Sequence, residues 1–108
     1  MLAIISAMPD EITAVVESLV EVSTQSLGRR QFHAGRLQGC AVVVVFSGWG
    51  KVAAAATTTQ LIASYDVTDI LFRGVAGAVQ HGLSIGDVVV GTELIQHDMD
   101  ASPIDKPC

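Results

Sequence analysis

The sequence predicts an α/β fold in which a mixed, twisted sheet is flanked by helices. Apolar runs of strand length are interrupted by two segments with helical periodicity. Half of the 108 residues are apolar and only 16% are charged. Such low charge, with many valines, alanines and glycines, is typical of a sheet that is covered on both faces.

The first two predicted elements are a buried strand and a helix. The continuous apolar run Leu2 to Ala7 forms the strand, and the turn Pro9-Asp10-Glu11 follows it. Proline is tolerated in the first turn of a helix, and acidic side chains there complement the helix dipole. Apolar residues at helical spacing then extend the helix to about Val20.

Three strands are predicted next, because the apolar period changes. They are Val22 to Leu27, Gln31 to Leu37 and Cys40 to Ser47, joined by turns at Gly28-Arg29 and Gln38-Gly39. The third strand holds four consecutive valines, which indicates a central position in the sheet. We expect Cys40, the first residue of this strand, to be a small buried apolar side chain.

The rest of the chain predicts one more helix and two more strands. An alanine-rich helix spans Val52 to Ser64, a short strand spans Asp69 to Arg73, and a last strand spans Asp87 to Gln96. The predicted order is therefore β-α-β-β-β-α-β-β. Because an α/β sheet normally has helices on both faces and only two are predicted, we expect residues 1–108 to be part of a larger single domain.

Composition excludes several classes of protein. A net charge of −5 argues against a nucleic-acid-binding surface. The longest apolar run, Ala41 to Phe46, is too short to cross a bilayer, so no membrane association is expected. The segment Met1 to Met8 lacks the basic start of a signal peptide, and Cys40 and Cys108 form no disulfide framework. We therefore expect a cytoplasmic protein.

Five short motifs occur in a characteristic order along the chain. Together they resemble the 5′-methylthioadenosine/S-adenosylhomocysteine nucleosidase branch of the nucleoside phosphorylase/hydrolase superfamily. The resemblance implies that residues 1–108 are the N-terminal part of one nucleosidase- or phosphorylase-type domain. The motifs are Ala7-Met8-Pro9-Asp10-Glu11, Ser47-Gly48-Trp49-Gly50-Lys51, Gly74-Val75-Ala76-Gly77, Gly86-Asp87-Val88-Val89-Val90 and His97-Asp98-Met99-Asp100.

Glu11 is the predicted catalytic residue. By position alone it is a first-turn helix acid, for which a capping role is the ordinary interpretation. It also follows the carboxyl end of the first strand, where open α/β sheets bind ligands. The resemblance implies that this carboxylate activates the attacking water. That chemistry needs a carboxylate beside the anomeric carbon, because N-glycosidic cleavage passes through a positively charged, oxocarbenium-like state.

Two segments are predicted to bind a small-molecule nucleoside substrate at its sugar. Met8 is either an ordinary strand-end residue or, as the resemblance implies, a contact of the ribose. The two-glycine loop Ser47 to Lys51 is a tight turn, a phosphate cradle at a helix N-terminus or, as the resemblance implies, the border of the sugar and its 5′ substituent. Trp49 in this loop departs from the smaller aliphatic residue usual in the family.

The third substrate segment follows the strand that ends at Arg73. The resemblance implies that Val75, Ala76 and Gly77 contact adenine and ribose. Val75 replaces a hydroxyl residue that is common in nucleosidases. Arg73 is either a strand-end ion-pair partner or a sign of the phosphorylase relatives, which carry a phosphate-binding arginine one residue further upstream.

No cofactor or metal is implied by the resemblance. Histidine and aspartate are common metal ligands, but the motif His97 to Asp100 is structural in the family and lies near a subunit interface. The resemblance further implies a homodimer, with Ala101 to Ile104 reaching the neighbouring subunit. His33 and His81 are expected to be packing or surface residues.

The groups that the family uses on the leaving adenine and on the ribose hydroxyls have no counterpart in this sequence. We therefore expect the 108-residue chain alone to be inactive or nearly so. Two alternatives to a nucleosidase stay open. One is a purine nucleoside phosphorylase, and the other is a non-catalytic polypeptide that binds nucleoside or only dimerises.

Overall fold

A computed structural model describes residues 1–100 and shows five strands and two helices. The chain divides into two compact units, Met1–Ala76 and Gly77–Cys108, and every helix and strand lies in the first. The elements in chain order are β1 (Leu2–Ser6), α1 (Pro9–Glu17), β2 (Val20–Leu27), β3 (Arg30–Leu37), β4 (Cys40–Phe46), α2 (Lys51–Ser64) and β5 (Asp69–Arg73).

The sheet is mixed, as the sequence predicts. Its strand order is β2-β3-β4-β1-β5. β1 pairs in parallel with β4 and β5, whereas β3 pairs antiparallel with β2 and β4. The central position predicted for β4 is confirmed, and Val42 to Val45 are fully buried because both faces of this strand are covered.

Each face of the sheet carries one apolar core under one helix. Leu61 of α2 is buried against Ala3 and Ile5 of β1 on one face. Ile12 of α1 is buried against Ile4 of β1 on the other face. The valines of β4 alternate between the two cores because successive strand residues point to opposite sides of a sheet.

The two predicted hairpin turns are confirmed by their backbone angles. Gly28 and Arg29 have φ values of 54° and 64°, and Gln38 and Gly39 have values of 49° and 84°. Two successive residues with positive φ give the turn type whose twist matches that of paired strands. The turns hold β2, β3 and β4 side by side, and the parallel pairing of β4 with β1 places the carboxyl ends of these two strands next to each other.

The strand predicted over residues 87–96 is wrong. The described residues 77–100 contain neither helix nor strand. Val88, Val89 and Val90 are 92%, 69% and 81% exposed. A strand needs a hydrogen-bonding partner, and no strand of the described chain pairs with this segment. The observed order is therefore β-α-β-β-β-α-β.

Two smaller expectations also change. Cys40 is an exposed free thiol, not a buried residue, because it lies at the β3–β4 turn where it pairs with Leu37. The first helix ends at Glu17, and Val20 already belongs to β2. Within residues 1–100, neither helix has the length and apolar character needed to cross a membrane.

Candidate active site

The carboxylate of Glu11 lies where the carboxyl ends of two parallel strands meet. It accepts a short hydrogen bond from the hydroxyl of Ser6, the last residue of β1. The backbone N–H of Val75, two residues after β5, donates to it at 3.0 Å. The backbone N–H of Met8 donates to it at 3.2 Å.

The two interpretations of Glu11 both describe part of this arrangement. The bond from Met8 is the ordinary one, in which an acid at the third helical position closes the start of its helix. The bonds from Ser6 and Val75 are not explained by capping, because those residues belong to β1 and to the segment after β5. They hold the carboxylate at the edge of the sheet where ligands bind in folds of this class.

These donors also set the charge state of the site. The Ser6 hydroxyl, followed by the Val75 backbone N–H, holds the pKa of Glu11 below its ordinary value of 4.5. The positive charge of Arg73 contributes in the same direction, more weakly. Hydrogen bonds and cations favour the ionised form of a carboxyl group. Glu11 is therefore a carboxylate at neutral pH, the state in which it can accept a proton.

Gly74 leaves room for this carboxylate. A Cβ atom at Gly74 would lie 3.3 Å and 3.4 Å from the two carboxylate oxygens of Glu11. The structure shows that its backbone already lies close to Glu11, which a larger residue would displace.

Ser6 is the site residue that sequence analysis missed. It is fully buried, and its carbonyl oxygen accepts hydrogen bonds from the backbone N–H of Ser47 at 2.9 Å and from the Ser47 hydroxyl at 3.2 Å. The available signal was a polar residue at the end of an otherwise apolar strand. Such a residue needs a partner when it is buried, and here that partner is Glu11.

The loop after β4 is held by hydrogen bonds at Ser47 and is exposed at Trp49. The Ser47 carbonyl oxygen accepts hydrogen bonds at 3.3 Å from Thr57 of α2 and also at 3.3 Å from Arg30 of β3. The Arg30 side chain thus links β3 to this loop. Trp49 is 77% exposed, between two glycines with positive φ.

A hollow of about 800 Å³ lies beside the site on the α1 face of the sheet. We call it the α1 groove. It is not the place where the reactive groups converge, because Glu11 is absent from its lining. Its lining residues are Pro9, Ile12, Thr13, Val16, Glu17, Gly28, Arg29, Arg30, Gln31, His33, Phe46, Ser47 and Gly48.

The structure brings together only some of the predicted site residues. Glu11 is joined to Met8 and Val75 through their backbone N–H groups, while the side chains of Met8, Trp49 and Val75 are exposed. Ala76 is exposed at the end of the first compact unit, and Gly77 begins the second. The contacts of all five with a nucleoside stay predictions.

Histidine, cysteine and acidic side chains are the candidates for metal ligands. The Nδ1 atom of His33 lies 3.0 Å from the Thr24 hydroxyl, and His81 is exposed. Within residues 1–100, histidine, cysteine and acidic side chains form no group of three that could hold a metal ion. The predicted interface segment, Ala101 to Ile104, lies outside the described residues.

Comparison with known proteins gives consistent matches over nearly the whole chain. The chain is 41% identical over 102 residues to a 5′-methylthioadenosine/S-adenosylhomocysteine nucleosidase of Staphylococcus carnosus, covering 94% of this chain and 45% of that protein. It is 39% identical over 107 residues to an aminodeoxyfutalosine nucleosidase of Helicobacter pylori, covering 98% of this chain and 46% of that protein. The chain thus spans about half the length of the curated relatives it matches.

Solved structures and a family profile agree with these matches. The fold superimposes on a 5′-methylthioadenosine/S-adenosylhomocysteine nucleosidase of Colwellia psychrerythraea in complex with adenine, with a TM-score of 0.92 and 37% identity. That superposition covers 97% of this chain and 43% of the Colwellia chain. A profile of the phosphorylase superfamily matches residues 1–107. The chain therefore belongs to the phosphorylase superfamily.

Proposed function

We propose that this chain supplies the water-activating part of a nucleosidase site, for hydrolysis of the N-glycosidic bond of 5′-methylthioadenosine or S-adenosylhomocysteine. The observation that carries the proposal is the ionised carboxylate of Glu11, held by Ser6 and Val75 at the carboxyl ends of β1 and β5. Capping a helix does not require those two partners. These partners support a role as a base because they orient the carboxylate at the ligand-binding edge of the sheet.

The proposed reaction uses the carboxylate twice. Glu11 accepts a proton from a water molecule as the water oxygen forms a bond to the anomeric carbon. The bond from that carbon to adenine breaks, and its electron pair leaves with the base. The negative charge of Glu11 also stabilises the positive charge that develops on the sugar. The leaving adenine needs a proton of its own, and by resemblance the acid that donates it is outside these 108 residues.

The experiment joins this chain to the remaining length of the S. carnosus relative and measures release of adenine from methylthioadenosine. We expect Glu11→Gln to lower the rate by about 10²–10⁴-fold, the usual contribution of a positioned acid or base. Asp10→Asn is the matched control, because Asp10 is an exposed acid in the same helical turn. The proposal fails if both variants keep the parent rate, or if both lose it equally.

The identity of the substrate needs a panel of nucleosides. Some relatives are named for methylthioadenosine and adenosylhomocysteine, and others for aminodeoxyfutalosine. These substrates differ beyond the sugar, on the side where the resemblance places Trp49. Rates for all three compounds with the parent and with Trp49→Ile would show which 5′ substituent the exposed indole favours.

A phosphorylase is the second candidate, and Arg73 is the observation that favours it. This cation lies at the end of β5, close enough to lower the pKa of Glu11. In a phosphorylase, phosphate would replace water as the attacking group. Adenine release that requires added phosphate would identify this reaction, whereas release in phosphate-free buffer identifies hydrolysis.

Three properties of the assembled protein stay predictions. The resemblance implies a homodimer and a place in methionine salvage, and the composition predicts a cytoplasmic location. Sedimentation analysis of the joined protein tests the first.

A further inference from the structure

The two carboxylate oxygens of Glu11 differ in how many hydrogen bonds they accept. Oε2 accepts one from the Ser6 hydroxyl and one, at 3.2 Å, from the backbone N–H of Met8. Oε1 accepts one, at 3.0 Å, from the backbone N–H of Val75. An ionised carboxylate has about four acceptor positions, divided equally between its oxygens. Within residues 1–100, the donors therefore fill Oε2 and leave one position open on Oε1.

The Ser6 hydroxyl is held in a place from which it can donate to Oε2. Ser6 is fully buried, and its backbone is fixed by parallel pairing with Phe46 of β4 and Arg73 of β5. Its Oγ atom also lies 3.3 Å from the Met8 carbonyl oxygen. A hydroxyl has one hydrogen to donate, and a charged acceptor makes the stronger bond. The hydrogen therefore goes to Glu11 while that side chain is ionised.

Ser6 is the donor whose contribution depends on its side chain. Met8 and Val75 donate through the backbone, so substitution of their side chains leaves both N–H groups in place. A glutamate has several rotatable bonds, and its hydrogen bonds must offset the entropy lost when those bonds are fixed. Without the Ser6 hydroxyl, each oxygen of Glu11 would keep one backbone donor, and the difference between the two oxygens would be lost.

We propose that Ser6 is a positioning residue for the proposed hydrolysis: its hydroxyl occupies Oε2, so that Oε1 is the atom that accepts the proton of the attacking water. The inference rests on the proposed function and names the atom at which that reaction begins. The water proton moves to Oε1 as the water oxygen bonds to the anomeric carbon, and the electron pair of the breaking bond leaves with adenine. Ser6 keeps its own proton and acts on the reaction only through Glu11.

The test measures adenine release by the joined protein over a range of pH. Only ionised Glu11 accepts a proton, so kcat/KM falls as the pH drops through the pKa of Glu11. Loss of the hydroxyl raises that pKa, while the cation of Arg73 stays in place. We expect Ser6→Ala to move this fall to higher pH. We also expect it to lower kcat by about 10-fold to 10²-fold with KM little changed, because a displaced catalytic group costs rate.

Two further variants separate positioning from a structural effect. In a Glu11→Gln background, Ser6→Ala should change the rate by less than about twofold, because the effects of groups that act as one unit do not add. Thr57→Val is the matched control, because it removes another fully buried hydroxyl, one that bonds the carbonyl oxygens of Ala53 and Ser47 instead of Glu11. We expect its pH profile to match that of the parent.

Circular dichroism shows whether each variant folds. Ser6→Cys keeps nearly the shape of serine with a weaker donor, so it should shift the fall in kcat/KM in the same direction by less, and it serves as the test if Ser6→Ala is unfolded. Parent kcat and a parent pH profile in the folded Ser6 variants would overturn this inference, and so would additive losses with Glu11→Gln. The proposed function would stand in both cases, provided that Glu11→Gln itself loses activity. A joined parent that releases no adenine, or a Glu11→Gln variant with the parent rate, would overturn the proposed function and this inference with it.

Discussion

Three hydrogen bonds to one carboxylate define the site at the scale of the residue. The Ser6 hydroxyl, at the buried end of β1, is the largest cause that lowers the pKa of Glu11. Val75 contributes through its backbone, which makes this bond independent of the side chain at that position. The departure of Val75 from the hydroxyl residue usual in nucleosidases therefore leaves the support of Glu11 intact.

Replacing Ser6 with alanine should raise the pKa of Glu11 toward 4.5, because the hydroxyl is the largest cause that lowers it. A carbon-13 NMR titration of the Glu11 side-chain carboxyl measures this change. Ser47→Ala is the control, since Ser47 is also a buried serine, directly after the neighbouring strand β4, but bonds the Ser6 carbonyl oxygen instead of Glu11. A pKa that stays at the parent value in Ser6→Ala would show that the hydroxyl does not stabilise the carboxylate.

The sequence predicts the place of Glu11 but not its partners. An apolar run followed by proline and two acids is a local signal, so it can be interpreted from neighbouring residues alone. The bond to Val75 joins residues 64 positions apart, and no local pattern indicates which backbone N–H will be free there. Only the parallel pairing of β1 with β5 brings the two together.

At the scale of the element, one buried threonine links α2 to the loop that follows β4. Thr57 is fully buried, and its hydroxyl donates to the Ala53 carbonyl at 2.8 Å and lies 3.3 Å from that of Ser47. Thr59 makes the same bond within the helix, to the Ala55 carbonyl at 2.9 Å, but is exposed. Comparing Thr57 with Thr59 therefore separates two contributions to stability. One is the hydrogen bond to the loop after β4, and the other is the hydrogen bond within the helix.

Thr57→Val should lower the free energy of unfolding by about 1 kcal/mol, because it removes a buried hydrogen bond with little change of shape. Thr59→Val should change it by less than about 0.5 kcal/mol, as is usual for surface positions. Urea unfolding of both variants measures the difference. Equal losses would mean that the contact between Thr57 and the Ser47 carbonyl adds nothing to stability.

The strands that pair with a neighbour are predicted well, whereas the strand predicted over residues 87–96, which has no partner among residues 1–100, is not observed. The bounds of β5 agree with the prediction, and those of β4 differ by one residue at the carboxyl end. Both strands pair with β1. Residues 87–96 have the same apolar character as β4, but the pattern of a strand does not provide the neighbour that satisfies its backbone.

At the scale of the whole molecule, the two compact units differ in what holds them. The first unit, Met1–Ala76, contains the sheet, both helices and both apolar cores. The second begins at Gly77, and its described residues form no regular element. The family assignment covers both units, since the superfamily profile reaches residue 107. The superfamily assignment therefore includes residues 77–100, although these residues form no helix or strand.

Amide hydrogen exchange should show this difference directly. In the chain alone we expect Val42 to Val45 to exchange slowly, because β4 is central and buried, and Val88 to Val90 to exchange orders of magnitude faster, because no ladder holds them. In the chain joined to the remaining length of the S. carnosus relative, Val88 to Val90 should become protected, while Val42 to Val45 change little. The four valines of β4 are the internal control. Slow exchange of Val88 to Val90 in the isolated chain, or fast exchange in the joined protein, would contradict this explanation. Strand formation in this segment would then depend on something other than a strand partner.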